Sequence, residues 1–430
     1  MRVRSKRRSF WPGIGVLGVR CADLRTGVRN DADMYPKILF FGSEPPSSIG
    51  AGSIYFFRLF QRWPVDRLKV VTPWLPEPRA SRLACPYHFL KIPFRRLNKT
   101  RFWKIRLALR LFGAAYLVSL KAIKQTIEFN PDAVVTLMQD SIMYDAASRY
   151  ARYIRKPLIV FVHDAPLVFE PLPGPFRYWQ VKQDRNLLRK SATIFAVSPG
   201  MQKYLAKTYG AKSHVLLPSY SAELLSIMAT ASKRTDHRKT SGRLTLGYAG
   251  GFHYGYGEQL LTLIPTLRRI GSVIEIFGVD PTAAQSLGDF QSATDVVRFH
   301  GTEATPEEAW RKIRHSCDAL LIPYRNPPGK HWLQYQTHFP SKLVDMLCVD
   351  MPIVMTGPDI ASGIVWLKQH PYAGLCITTT DETQIANAIG KLGDDSTLRN
   401  SFAKSRARLL SAFDPIENER RFSEILSTVC

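Results

Sequence analysis

Short, almost wholly apolar segments recur along this chain, and segments of helical length lie between them. In the first half the apolar segments occupy residues 37–42, 68–71, 133–137, 158–162 and 194–197. In the second half they occupy residues 244–251, 273–277, 296–300, 319–322, 353–355 and 374–377. Strands that are buried on both faces have this continuous apolar composition, whereas half-exposed strands alternate. The pattern therefore predicts an α/β protein built from two doubly wound parallel sheets.

A polar, basic stretch at residues 229–243 divides the two series of strands. We interpret it as a linker, because it lacks any hydrophobic period. The predicted parts are a basic disordered extension or mis-annotated start (1–33), an N-terminal Rossmann-like domain (34–228), a C-terminal Rossmann-like domain (244–410) and a C-terminal helix (411–430). Helices of the first half are expected at residues 54–63, 102–129, 142–153, 176–189 and 199–209. Two such domains form a cleft between the carboxyl ends of their strands, where ligands bind.

The composition restricts the classes of function. A formal net charge of +24 predicts attraction to something acidic: nucleic acid, an anionic membrane or a phosphorylated substrate. Nucleic acid is the least favoured of these, since no recognition-helix, RNA-binding or zinc signature accompanies the charge. The six cysteines lie far apart without metal-type spacing, which argues against a zinc site or a disulfide framework. No run of about eighteen apolar residues predicts a membrane span.

The segment "FPSKLVDMLCVDMPIV" at residues 339–354 predicts a helix that begins near Ser341 and Lys342 and carries Asp345 one turn later. A cation at a helix N-terminus is unfavourable for the helix dipole, so we expect Lys342 to serve an anion there. A diphosphate would suit the amides and the lysine, and Asp345 would suit a ribose diol. A surface helix with ordinary charges is the alternative.

The segment "YAGGFHYGYG" at residues 248–257 predicts a strand that runs into a glycine-rich turn and then a helix. Such a turn lets backbone amides approach a phosphate near Gly250 and Gly251. The glycine spacing does not match the dinucleotide fingerprint. A tight bend without a ligand is the alternative interpretation.

His163 follows the apolar strand predicted at residues 158–162. This position faces the cleft in doubly wound folds, where an imidazole can orient a hydroxyl or donate a hydrogen bond to an oxygen that gains charge. A structural histidine is the alternative, and the neighbouring Asp164 would then cap the next segment.

The helix predicted at residues 102–129 is basic and amphipathic. On a helical wheel, Arg106, Arg110, Lys121 and Lys124 share one face, and apolar residues occupy much of the rest. This arrangement suits the anionic inner face of a membrane. A solvated basic face over a packed one is the alternative.

In order and spacing, these segments resemble a retaining glycosyltransferase of the two-Rossmann GT-B type, in the family-4-like group. The likeness covers most of residues 36–430 and is strongest from residue 246 to residue 356. It is carried by "LGYAGGFHYGYG" (246–257), "IEIFG" (274–278), "VVRFHGTEATPEEAWRKIRHSCDALLIPY" (296–324) and "FPSKLVDMLCVDMPIV" (339–354). The first half contributes "KILFFGSEPPSSIGAG" (37–52), "LIVFVHD" (158–164) and "SATIFAVSPGMQKYL" (191–205).

The resemblance implies a nucleotide-sugar donor held by the C-terminal domain. Gly250 and Gly251 would then lie near the donor diphosphate, and Ser341 and Lys342 at the phosphate end of a helix. Asp345 would bind the ribose hydroxyls.

On the acceptor side, the resemblance implies that His163 is the cleft histidine near the transferred sugar. Gly50 and Gly52 would belong to the glycine loop that contacts the acceptor. Two positions depart from the family pattern. Thr337 stands where the family has the first glutamate of a pair, and Phe252 to Tyr254 stand where it has an arginine and a lysine. Arg325 is a further candidate for neutralising the diphosphate.

We therefore predict a retaining, metal-independent hexosyltransferase without a cofactor. It would act on a nucleotide-sugar donor and a glycan or lipid-linked acceptor in cell-surface polysaccharide synthesis. It is expected in the cytoplasm, peripheral to the inner face of the plasma membrane. The alternatives are a non-catalytic GT-B-fold protein that binds an anionic glycan or membrane, and a sugar-nucleotide epimerase or hydrolase.

Overall fold

The computed structural model describes residues 35–92, 113–165, 174–230, 244–280, 290–394 and 408–430. Within these ranges it leaves out positions 77, 79 and 304, and outside them it also describes positions 397, 401 and 405. The predicted extension at residues 1–33, the basic side chains Arg106 and Arg110, and most of the predicted linker lie outside these residues. Ala229 and Thr230, assigned to the linker from sequence, end a helix instead.

The first half contains a parallel sheet of seven strands in the order β3-β2-β1-β4-β5-β6-β7. The strands are β1 (Ile38–Phe41), β2 (Leu68–Thr72), β3 (Tyr87–Phe89), β4 (Ala133–Leu137), β5 (Leu158–Val162), β6 (Thr193–Ala196) and β7 (His214–Val215). Every residue of β1, β4, β5 and β6 is buried. Helices therefore cover both faces of the sheet, as the continuous apolar segments predicted.

Helices connect these strands in the parallel manner. They are α1 (Ala51–Phe60), α2 (Ala115–Thr126), α3 (Ser141–Ile154), α4 (Pro175–Lys190), α5 (Pro199–Tyr209) and α6 (Ala222–Thr230). Two of them begin at strong N-caps: Asp140 accepts from two amides of α3, and Ser198 accepts from the Met201 amide of α5.

The second half contains a parallel sheet of six strands in the order β10-β9-β8-β11-β12-β13. The strands are β8 (Thr245–Ala249), β9 (Val273–Phe277), β10 (Val297–Phe299), β11 (Ala319–Pro323), β12 (Ile353–Thr356) and β13 (Gly374–Ile377). Counted within this half, the order is 3-2-1-4-5-6, which is that of a Rossmann domain. The predicted fold class, two doubly wound parallel sheets, is confirmed.

The helices of this half are α7 (Tyr256–Arg269), α8 (Pro306–Ser316), α9 (Trp332–Thr337), α10 (Ser341–Val349), α11 (Ser362–Gln369) and α12 (Glu382–Asp394). The last helix of the chain, α13 (Pro415–Ser427), packs on α1 of the first half.

Several predicted boundaries were wrong. The edge strands β3 and β7 are too short to give a sequence signal, and both were missed. Within the described residues, the helix predicted at 102–129 ends at Thr126 and continues as a single 3-10 turn. The helix predicted at 54–63 begins at Ala51, because Gly50 adopts a positive φ of 96° and ends the preceding loop there.

An aromatic cluster joins α13 to the first half. Phe422 is fully buried and contacts Phe60, Trp63, Phe161 and Phe195, with ring centroids 5.3–6.0 Å apart. The end of the chain thus completes the core of the N-terminal half.

A buried ion pair joins the two halves. Arg58 of α1 reaches Asp345 of α10, with Nη1 2.8 Å from Oδ1 and Nη2 3.2 Å from Oδ2. Nη1 also donates to the Ser219 carbonyl at 2.8 Å. Both side chains are about nine-tenths buried, so neither charge is screened well by water.

We predict that Phe422→Ala lowers the free energy of unfolding by about 3–5 kcal/mol, since it removes a large buried ring. The matched control is Ile416→Ala on the same helix, which removes a side chain that is 57% exposed and should change it by less than about 0.5 kcal/mol. Urea unfolding of both variants measures the difference. Equal effects would contradict the packing of α13 on the first half.

We also predict that Arg58→Met destabilises the protein by about 3–5 kcal/mol, because it leaves the Asp345 carboxylate buried without its partner. The control is Arg149→Met, which breaks a half-exposed pair with Asp145 and should cost less than about 1 kcal/mol. Adding Asp345→Asn to Arg58→Met should recover part of the loss. If Arg58→Met lowers the free energy of unfolding by no more than Arg149→Met does, the pair does not hold the halves together.

Candidate functional site

In each sheet the strand order reverses at the centre, between β1 and β4 in the first half and between β8 and β11 in the second. Loops diverge at such a point, and the crevice outside the carboxyl ends of the strands is where these folds bind ligands. Three predicted site residues follow strands at or next to these points: His163 comes after β5, Gly250 after β8 and Arg325 after β11. Topology therefore brings several of them to two facing edges.

A cavity of about 390 Å³ opens between these edges. The first half contributes the loop after β1, Gln139 after β4 and His163 after β5. The second half contributes Tyr254 from the glycine turn and His338 after α9. The cavity is thus shared by both halves, and it contains the predicted residues Gly50, Gly52 and His163.

His163 is 8% exposed, and its ring stacks on Phe56 with centroids 5.1 Å apart and contacts Tyr55 at 4.2 Å. Burial outweighs the nearby carboxylate of Asp164 and lowers the pKa of His163 to about 4. The imidazole is therefore neutral at physiological pH. Its Nε2 atom is buried without a hydrogen-bond partner among the described residues. A neutral imidazole of this kind can donate to or accept from a ligand hydroxyl.

Two carboxylates lie on the cavity wall, and the sequence interpretation missed one of them. Glu44 accepts a hydrogen bond from Gln139 Nε2 at 3.2 Å, and Gln139 Oε1 accepts from Ser43 Oγ at 3.2 Å. Desolvation and, to a lesser extent, the charge of Asp164 raise the pKa of Glu44. Asp164, predicted only as an alternative cap, lies 3.6 Å from His338 Nδ1.

Gly52 explains how Glu44 fits. A Cβ atom at Gly52 would lie 2.5 Å from Glu44 Oε2, which is closer than atoms approach without a shift. The glycine loop predicted for the acceptor side therefore makes room for a carboxylate. The glycines were the only sequence signal that could have led to Glu44.

Lys342 and Gly250, 92 residues apart in the sequence, are in contact. A Cβ atom built on Gly250 would lie 2.1 Å from Lys342 Nζ, and the φ of Gly250 is 116°. The ammonium lies over the rings of Tyr248 and Tyr256, 4.8 and 5.4 Å from their centroids. It also donates to the Tyr248 hydroxyl at 3.4 Å.

Lys342 has no carboxylate partner among the described residues, and desolvation lowers its pKa to about 8. The lysine stands on the first turn of α10, where Ser341 is the first residue and no side chain caps the helix. The start of α10 thus carries a cation and no side-chain cap, while the Leu343 amide donates to the Pro340 carbonyl at 2.9 Å.

The glycine turn is a tight bend, which was the alternative to a phosphate-binding turn. The Gly250 amide donates to the Phe277 carbonyl at 2.8 Å, and Gly278 packs against the backbone of Gly250. Tyr254 has a positive φ of 61°, which is unusual for a residue with a side chain. Gly251 lies in this turn, beside the ring of His253.

Arg325 also lies at this turn, where its side chain contacts Gly255 and forms an ion pair with Glu258 of α7. Its backbone amide donates to the Tyr335 hydroxyl at 3.1 Å. The guanidinium is thus already paired, and its contact with a diphosphate stays a prediction.

The surroundings of Asp345 and Thr337 differ from those that the resemblance implied. The Asp345 carboxylate is held by Arg58. Its contact with a ribose stays a prediction, and the ribose would have to share the carboxylate with Arg58 or displace the arginine. Thr337 is fully buried, and its hydroxyl donates to the Leu333 carbonyl of its own helix. Its carbonyl accepts from Ser198 Oγ at the contact between the halves.

The remaining predicted residues are basic. Lys121 and Lys124 are exposed on α2, beside the exposed apolar side chains of Tyr116, Leu117 and Leu120. Among the residues that the structure describes, no helix is long and apolar enough to cross a bilayer, and no group of three or more His, Cys, Asp and Glu is placed to bind a metal ion.

Known proteins match this chain in two ways. Residues 59–218 match the sequence model of Glycosyltransferase Family 4. The sucrose-phosphate synthase of Thermosynechococcus elongatus superposes with a TM-score of 0.64 at 13% identity, covering 90% of this chain and 97% of that one. WaaG, a glycosyltransferase involved in lipopolysaccharide biosynthesis, superposes with a TM-score of 0.57 at 13% identity, covering 90% of this chain and 99% of that one.

A third structure, of a trehalose-6-phosphate synthase, superposes with a TM-score of 0.59 at 10% identity, covering 92% of this chain and 99% of that one. No curated protein matches the sequence significantly. At these identities the structures show the fold, and the family match lies in the first half of the chain. Together they confirm the predicted resemblance to glycosyltransferases of the GT-B type: the chain has the GT-B fold, and its residues 59–218 match the Glycosyltransferase Family 4 model.

Proposed function

We propose that this enzyme transfers a hexosyl group, with retention, from a nucleoside-diphosphate sugar to a hydroxyl of a glycan or lipid-linked acceptor. The observation that carries the proposal is the contact between Lys342 and Gly250. It provides a desolvated ammonium, without a carboxylate partner in the described part of the chain, at the turn after β8 and at the start of α10.

The chemistry of transfer requires positive charge at this place. As the glycosidic bond of the donor breaks, the leaving diphosphate gains negative charge. A fixed cation and backbone amides stabilise that charge more in the transition state than in the ground state. Lys342 and the amides of α10 supply both. In this proposal the ammonium replaces a divalent ion, so the reaction needs no metal or other cofactor.

The cost of desolvating Lys342 supports the same role. Burial between two tyrosine rings lowers its pKa to about 8, so the apo protein holds this charge at a cost. A diphosphate would offset the desolvation cost of Lys342 through charge-assisted hydrogen bonds. Gly250 supports the arrangement sterically, since any other residue would place a Cβ where the ammonium lies.

His163 lines the cavity between the halves, and its neutral imidazole can orient a hydroxyl of the transferred sugar. Retention is proposed from the family resemblance. The solved trehalose-6-phosphate synthase, whose study concerns glycosyltransfer with retention, supports it by analogy of fold.

The acceptor is proposed to belong to cell-surface polysaccharide synthesis, with the enzyme in the cytoplasm and peripheral to the inner face of the plasma membrane. The support is the exposed surface of α2, where Tyr116, Leu117 and Leu120 adjoin Lys121 and Lys124. Apolar side chains beside lysines suit an anionic lipid surface. WaaG, a lipopolysaccharide glycosyltransferase, supports the pathway class by analogy of fold.

We predict that nucleoside diphosphates and their sugars raise the melting temperature of the wild type, and that Lys342→Met weakens their binding tenfold or more, since a charge-assisted contact contributes about 1.5–3 kcal/mol. Thermal-shift titration measures this. The control is Lys368→Met, which removes a half-exposed lysine that is paired with Asp359. If no nucleotide stabilises the wild type, the donor-site assignment is wrong.

The pH dependence tests the same lysine. With a pKa near 8, Lys342 is charged below that pH and neutral above it, so nucleotide affinity should fall between pH 7 and pH 9.5. In Lys342→Met the nucleotide affinity should be weak at both pH values. A parallel decline in the variant would assign the titration to another group.

We also predict that the wild type co-sediments with vesicles that contain anionic lipid at low salt and is released at high salt, because the Debye length shortens. The double substitution Lys121→Glu and Lys124→Glu should weaken this binding several-fold. The control is the same double change at Arg311 and Lys312 of α8, in the second half. Equal losses would show that net charge alone drives the association.

A further inference from the structure

The charged groups that line the cavity are acidic, although the chain as a whole is strongly basic. The protein carries a formal charge of +24, yet the described residues that line the cavity include Glu44 and Asp164 and no lysine or arginine. Basic residues are abundant enough that a cavity meant for an anion would be expected to contain one. Among the described lining residues the acidic side chains are thus not balanced by a lysine or arginine, although Arg82 donates to the carbonyl of the lining residue Pro76 at 3.4 Å.

Glu44 is built into the wall in a fixed position. A chain of hydrogen bonds runs from Ser43 to Gln139 and from Gln139 to one oxygen of Glu44. The other oxygen packs against Gly52, where a Cβ atom would require the carboxylate to shift. The carboxylate thus keeps lone pairs that only an additional donor can satisfy.

His163 gives an independent indication of a ligand. It is more than nine-tenths buried, lines the cavity, and its Nε2 atom has no partner among the described residues. A buried polar atom without a hydrogen bond is costly, so a site that keeps one is built for a group that arrives later. A hydroxyl-rich ring in this cavity can donate to Glu44, and His163 would then lie where this ring meets the transferred sugar.

Size and wall composition agree with such a ring. A volume of about 390 Å³ lies in the range of small-molecule sites. Trp74 and Leu75 provide apolar surface on the same cavity, against which the carbon face of a sugar can pack.

We propose that this cavity is the acceptor subsite and that it takes an uncharged, hydroxyl-rich sugar unit while rejecting one that carries a carboxylate or phosphate. This inference rests on the proposed transferase function. Selection arises in two ways. Hydroxyls supply the donors that Glu44 lacks, whereas an anion would place like charges together in a poorly solvated space.

The experiment compares methyl glucoside, galactoside and mannoside with the corresponding uronides, by ligand-observed NMR titration of the wild type with saturating nucleoside diphosphate. At least one hexoside should bind, and its uronide should bind at least tenfold more weakly. Glu44→Gln keeps the shape and removes the charge, so it should reduce that preference to about twofold or threefold. Asp359→Asn, which removes an exposed carboxylate far along the chain, should leave the preference unchanged.

Several results would overturn the inference: a uronide that binds the wild type as tightly as its hexoside, an unchanged preference in Glu44→Gln, or no binding of either sugar class. If Glu44→Gln does not fold, Asp164→Asn provides the same test. Nucleotide stabilisation without sugar binding would reject this subsite and leave the proposed donor site intact. Sugar selection without nucleotide stabilisation would reject the donor site instead.

Discussion

The buried ion pair between Arg58 and Asp345 is the contact on which the arrangement of the site depends. It ties the first helix of the N-terminal half to the helix whose first turn carries Lys342. Because the pair is poorly solvated, removing one partner while the halves stay together would leave the other charge buried and uncompensated. The pair thus links the two halves, and the cavity lies between the carboxyl ends of their sheets.

The two halves contribute groups of opposite electrostatic character. The second half contributes Lys342, which is desolvated between tyrosine rings against Gly250 and does not itself line the cavity. The first half contributes Glu44 and a neutral His163, which line the cavity. This division suits the proposed transfer, because the leaving diphosphate gains negative charge whereas the acceptor hydroxyl is uncharged. The large positive charge of the chain is therefore not distributed evenly around the site.

Much of the fold was predictable because a buried parallel strand leaves a strong local pattern, and the bounds of β4, β5, β9 and β13 match the predicted ones. The contact of Lys342 with the glycine turn was also within reach, since both segments follow central strands. Pairings between halves were not predictable. Asp345 was assigned to a ribose because nothing local to it indicates Arg58, which lies 287 residues away. Glu44 was missed because a carboxylate in a loop has no periodic signal, and only its packing on Gly52 shows its place.

The central claim, that Lys342 holds the diphosphate of a nucleotide sugar, is tested most directly by its reactivity. An amine with a pKa near 8 should be acetylated by a low dose of acetic anhydride faster than surface lysines such as Lys368, and peptide mass spectrometry can measure each rate. Saturating nucleoside diphosphate should protect Lys342 at least tenfold and leave Lys368 unchanged. Equal reactivity of Lys342 with and without every nucleotide tested would contradict the account.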